Sequence, residues 1–278
     1  RKMLAVLRYR RIPYKLILAG SGRFPEGYPR PKVQLLPTFF LPNAAGDMEA
    51  VVDSTPLIRR FETEFTGRAV IPNDPALAFL DYLLEDYADE WLTKAMFHFR
   101  WAHEADWKNA APLLVYWGMN TADEELATGL AANFAKRQID RLYVVGSNDV
   151  TAETIESSYS RLVEILDGLI ARKGFVLGAR PSSADFALYG QMTQLAVVEP
   201  TSAAITSKIS QRVRAWVDLM EDLSGHAPSD EDWFSAEDAS EALAPLLAEI
   251  GRTYAPAIIA NAKAVMGGDA TFDTEIDG

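Results

Sequence analysis

The chain has no cysteine among its 278 residues, which excludes disulfides, thiolate metal centres and a cysteine nucleophile within it. Histidine is scarce: there are three, and His98 and His103 stand five positions apart. That spacing is off the i,i+4 step by which a straight helix offers two imidazoles to one ion, so no metal is expected. No apolar run approaches the roughly 18 residues of a membrane-crossing helix. No signal peptide is legible either, and a soluble cytoplasmic protein is expected. Basic residues are outnumbered, 27 Lys and Arg against 39 Asp and Glu for a net charge of −12. Nucleic acid, whose phosphates demand a basic surface, is therefore disfavoured as a partner. Gly20-Ser21-Gly22 lacks both a following Gly-Lys-Ser/Thr and the spacing of a dinucleotide fingerprint, so these glycines break the chain rather than cradle phosphate. Repeats of fixed period and long low-complexity tracts are also absent.

What is present is a 49% hydrophobic content, enough at this length for two domains with a sizeable core. Charge is uneven: residues 1–66 hold 11 Lys/Arg and 6 Asp/Glu, leaving 16 and 33 to the remainder. A basic first unit suits an anionic ligand, and the same asymmetry also reads as an uneven solvated surface.

Leu4, Leu7 and Arg8 to Arg11 predict a helix with a basic outer face, ended near Ile12-Pro13. Tyr14 to Leu18 alternates as a strand does. Residues 19–31 are rich in Gly and Pro and predict a loop. The runs 38–41 and 48–52 flank the turn cluster Asn43-Ala44-Ala45-Gly46-Asp47 and predict an antiparallel hairpin. A helix follows from Asp53 to Phe61, then a linker over 67–74 in which Asp74-Pro75 opens the next helix. From there Leu77, Leu80, Leu84, Tyr87, Trp91, Ala95 and His98 step by three or four along one apolar stripe. Further helices are predicted over 123–142, 152–172, 182–197, 207–223 and 237–265.

Three motifs stand out. Leu35-Leu36-Pro37-Thr38-Phe39-Phe40 is a strand entered through a proline, which leaves backbone polar groups beside it unpaired. Val51-Val52-Asp53-Ser54-Thr55-Pro56 is a strand running straight into a helix, whose first N–H groups and dipole favour an anion. Asp53 and Ser54 serve equally as an ordinary helix cap. Ser182-Ser183-Ala184-Asp185 before an apolar run is a capping box, a structural device.

In this order, and with the opening Arg1 to Tyr14, these motifs resemble the glutathione transferases. That resemblance implies an α/β thioredoxin-like domain over 1–66, followed by an all-helical domain over 75–278 with a helical extension after 226. Pro37 would be the family's cis-proline, and Leu36 would exchange backbone hydrogen bonds with the cysteine of glutathione. Ser54 would take the γ-glutamyl carboxylate, and Asp53 the ammonium. Lys32 and Gln34 are further candidates, for the glycine carboxylate. Tyr87, Trp91, His98 and Trp101, with Lys94, lie on the helix that walls the family's interdomain cleft and would line a pocket for a small hydrophobic electrophile. His98 also reads as a packed core residue at the end of its stripe. Ser182 and Asp185 would be the family's buried cap. The catalytic residue is unknown, and the resemblance places it, with a first strand, upstream of Arg1. Glutathione would be the co-substrate of a detoxifying transferase that forms homodimers. The alternatives are a non-catalytic scaffold of the metaxin type and a glutathione-dependent reductive or ether-cleaving enzyme.

Overall fold

The computed structural model describes residues 1–17 and 25–277. Its described residues are almost wholly helical, with one two-stranded sheet. In chain order these are α1 (Lys2–Tyr9), β1 (Thr38–Pro42), β2 (Met48–Val52), α2 (Ser54–Glu64), α3 (Pro75–Ala102), α4 (Glu104–Gly118), α5 (Glu124–Ile139), α6 (Ala152–Lys173), α7 (Ser183–Thr193), α8 (Pro200–Ile209), α9 (Gln211–Leu219) and α10 (Ala236–Gly267).

The expected thioredoxin-like α/β domain is not there. Among the described residues the sheet consists of β1 and β2 alone, antiparallel, with Thr38 opposite Val52 and Pro42 opposite Met48. Residues 14–17 of the expected strand have no regular structure, and Tyr14, Leu16 and Ile17 are exposed. Alternation supplies an apolar face, but a strand also needs a neighbour to take its N–H and C=O groups, and these residues have none among the described residues. Leu18 of that strand, and Gly20-Ser21-Gly22, lie outside the described residues.

The hairpin turn is closed by Asn43, whose Oδ1 accepts from the N–H groups of Ala45 and Asp47, and by Gly46 at φ +89°. α3 starts where Asp74 Oδ1 accepts from Ala76 and Leu77 N–H and Pro75 needs no donor of its own. Its apolar stripe packs chiefly on α7, and also on α6, α10 and α4. Val6, Leu57, Ile58 and Phe61 of α1 and α2 share one apolar core with Leu84, Leu92, Leu162, Phe186 and Leu246 of the helical body. A smaller cluster joins Trp101 of α3 to Ala111, Ala131 and Ala135 of α4 and α5.

The helices expected over 182–197 and 207–223 are each interrupted. α7 widens into a π-helical turn at Gln194–Val198 before Pro200 opens α8. Ser210 then breaks the next run, its hydroxyl bonding Asp167 Oδ1 at 2.5 Å and accepting from Val213 N–H. α4 had no counterpart among the expected helices. No helix among the described residues is long and apolar enough to cross a membrane.

Candidate functional site

The hairpin and α2 bring the first two motifs together. Leu36 and Ser54 each lie two residues beyond the Thr38–Val52 pair, so the register sets them at the same end of the hairpin. The Leu36–Pro37 bond is cis. Leu36 is 94% exposed, and its N–H and C=O have no partner among the described residues. Lys32 and Gln34 are exposed nearby in the chain.

Asp53 caps α2 at φ +76°, a conformation that L-residues rarely adopt, with its carboxylate accepting from Thr55 N–H at 3.1 Å. A non-glycine residue held there costs on the order of 1–3 kcal/mol, and such residues concentrate at ligand sites. The Ser54 hydroxyl has no hydrogen-bond partner among the described residues, and its N–H stands in the first, unpaired turn of the helix. Thr55 points the other way: its hydroxyl donates to Glu85 Oε1 at 2.9 Å, tying the first turn of α2 to α3. Negative charge gathers around Asp53. Asp89 and Glu90 of α3 are both raised above the ordinary carboxylate range, mainly by desolvation and in part by the Asp53 charge. Asp89 is held by Lys2 at 2.6 Å. Here an anion can meet free N–H groups and a hydroxyl, an ammonium can meet carboxylates, and an extended peptide can pair with Leu36.

The four residues expected to line an electrophile pocket are all buried: Tyr87, Trp91, His98 and Trp101 are at most 3% exposed. Trp91 Nε1 donates to Ser158 Oγ, and Tyr87 stacks edge-on against Tyr254. Trp101 packs on Phe134. Burial lowers the His98 pKa from its ordinary value.

Ser182 and Asp185 form the expected box. The Asp185 carboxylate accepts from Ser182 N–H at 2.9 Å, from the Ser182 hydroxyl at 3.0 Å and from Val176 N–H at 3.0 Å. Both residues are fully buried. Nothing there faces a ligand.

The basic face of α1 is spent inside the protein. Arg8 pairs with Glu221 and Arg10 with Glu62 at 2.6 Å each, and Arg11 donates to the Ser224 carbonyl. These three cations of α1 therefore offer little to an outside anion. Sequence reasoning missed a third constellation, His98, His103 and Glu156, whose ring nitrogens and carboxylate converge on one point. The spacing of the two histidines assumes a straight helix, and α3 ends between them: His103 is its C-cap, at φ −97° and ψ 133°. Compared with protein-family models, curated proteins and solved structures, the chain matches none.

Proposed function

We propose that this protein binds glutathione at the open end of the hairpin and uses it as co-substrate in a transferase reaction on a small electrophile. The observation that carries the reading is the pairing at one hairpin end of an unbonded, exposed Leu36 peptide with the unpartnered Ser54 hydroxyl behind a positive-φ Asp53. Glutathione matches this set group by group. Its central cysteine can exchange backbone bonds with Leu36 in the manner of an added strand. Its γ-glutamyl carboxylate suits Ser54 and the α2 amino terminus, and its ammonium suits Asp53. For catalysis the thiol, near pKa 8.5 when free, must be held as thiolate. Lowering that value by about two units takes roughly 2.7 kcal/mol, after which the sulfur attacks and the leaving group departs.

A second reading, a non-catalytic glutathione-transferase-like scaffold, is favoured by one observation. The side chains expected around the electrophile are packed in the interior. Titration calorimetry with glutathione, followed by a conjugation assay with an activated aryl halide, separates the readings. Binding with turnover supports the transferase, binding without turnover supports the scaffold, and no heat of binding removes both.

A further inference from the structure

At the far end of α3 three side chains from different elements aim at one point. His98 is on the last turns of α3, His103 is at the α3–α4 junction, and Glu156 is near the start of α6. His98 Nε2 lies 3.1 Å from Glu156 Oε1, and His103 Nε2 lies 3.0 Å from the same oxygen. The three ligand atoms all fall within 4.8 Å of one another. We propose that His98, His103 and Glu156 form a binding site for a divalent transition-metal ion, zinc by its donor set.

The geometry is close to what the ion requires. At metal–ligand distances of about 2.0–2.2 Å, tetrahedral donors stand about 3.3–3.5 Å apart. The two imidazole–carboxylate separations need to open by only a few tenths of an ångström, and the two ring nitrogens, within 4.8 Å of each other, need to settle at the same spacing. Both rings are already held. His98 Nδ1 meets Ser147 Oγ at 2.8 Å, the contact from the second ring nitrogen that orients most metal-bound histidines. The His103 ring stacks on Phe99 at 5.8 Å and 25°. With both Nε2 lone pairs on the ion, the His98 proton resides on Nδ1 and is donated to Ser147 Oγ.

Two neutral imidazoles and one carboxylate leave a net charge of +1 on a divalent ion and one coordination position open. Glu156 and His103 are each about one-third exposed, 36% and 32%, so that position faces solvent. Three protein ligands with an open fourth position are the arrangement of zinc sites that bind water or substrate. The line Ser147–His98–Glu156 also resembles a nucleophile–base–carboxylate relay. Ser147 is only 5% exposed, however, and a relay gives no reason for His103 to share the same carboxylate oxygen. The site is separate from the hairpin end. His98 lies nine residues beyond Asp89 on α3, about 13 Å along the helix, so it stands or falls without glutathione.

The test uses the full chain, stripped with a chelator and titrated with Zn²⁺ against a chromophoric competitor, with Co²⁺ as a spectroscopic probe. One ion per chain and the visible absorption of tetrahedral Co²⁺ are expected. His103→Ala and Glu156→Gln, at positions about one-third exposed, should weaken affinity by about 100-fold or more. Ser147→Ala should weaken it by about 10- to 100-fold, the usual range for an orienting partner. Melting curves of the metal-free variants confirm that each is folded. No stoichiometric uptake by the unaltered protein overturns the proposal. So does unchanged affinity in folded His103→Ala and Glu156→Gln, since the ion would then sit elsewhere.

Discussion

Two polar constellations lie a few residues apart, one sealed and one open. In the sealed one, where α1, α3 and α7 meet, Asp81 and Glu85 are each 1% exposed. Lys2 reaches Glu85 at 2.7 Å and Asp89 at 2.6 Å, Ser183 Oγ sits between Asp81 and Glu85 at 2.6 and 3.0 Å, and Ala184 N–H donates to Asp81 at 2.9 Å. In the open one, Leu36, Asp53 and Ser54 keep unused donors and acceptors in solvent. Thr55 belongs to both, as the residue that fastens α2 to Glu85. A buried polar group must find its partners within the fold or destabilise it, so a satisfied cluster is a structural device. Groups left unsatisfied at the surface are free for a ligand. The two sites should therefore respond oppositely to substitution, the first in stability and the second in affinity.

The largest expected effect is on the sealed side. Lys2→Ala strips the cation from a buried carboxylate, a class of change that costs about 3–5 kcal/mol. Urea unfolding checks this. A loss under about 1 kcal/mol, the worth of an exposed pair, would show that the cluster is wetter than its burial implies. Pairing Lys2→Met with Glu85→Gln should recover most of the loss.

Asp81 gives the same cluster a pH dependence. Burial pushes its pKa up from 3.8 to about 7, aided by the charge of Glu85 and opposed by the Ser183 and Ala184 bonds. Proton counting agrees, because the single hydroxyl proton of Ser183 cannot serve two carboxylates. With Asp81 protonated, its carboxyl donates to Ser183 Oγ, and Ser183 donates to Glu85. The folded chain then keeps a proton that the unfolded chain releases above pH 3.8, so stability falls as pH rises from about 4 to about 7 and levels off beyond. The span is on the order of 4 kcal/mol. Asp81→Asn keeps both bonds without the proton and should flatten that slope in melting temperatures across pH. An unchanged slope would assign it to other groups.

On the open side, Ser54→Ala should weaken glutathione binding by about 1.5–3 kcal/mol, the worth of a charge-assisted bond. The melting temperature should hold, because the Ser54 hydroxyl has no bond to any of the described residues. Unchanged affinity in calorimetry removes Ser54 from the site, and a lowered melting temperature would erase the contrast between the two clusters.

The same contrast explains what could be read in advance. Local chemistry was legible. Asp74-Pro75 starts α3, the stripe from Leu77 to His98 faces the core, Asp53-Ser54 opens α2, and Ser182 to Asp185 closes a box. What failed was non-local. Tyr14 to Leu18 carries the alternation of a strand, yet pairing depends on a partner elsewhere in the chain, and residues 14–17 find none among the described residues. α4 went unseen because Pro112 and a mixed run of aromatic and small residues blur its period. The aromatic stripe of α3 reads first as core, and only the family resemblance suggested a pocket; α6, α7 and α10 cover it. The convergence of His98 and His103 depends on a chain turn at His103 that spacing alone does not reveal.

The smallest effect separates a cap from a catalyst. Asp185 is wholly buried, and its pKa is raised to about 6 by desolvation against the pull of its hydrogen bonds. Ser182→Ala removes one of its three donors while the Ser182 and Val176 N–H groups remain. The loss should be about 1–2 kcal/mol of stability, typical for a cap hydroxyl. Glutathione affinity should stay where it was, because the Ser182 hydroxyl bonds Asp185 of α7, whereas the bonded line toward α2 runs through Ser183, Glu85 and Thr55. A folded Ser182→Ala protein that has lost binding or turnover would mean that the sealed and open clusters are one working unit, with Ser183, Glu85 and Thr55 as the line between them.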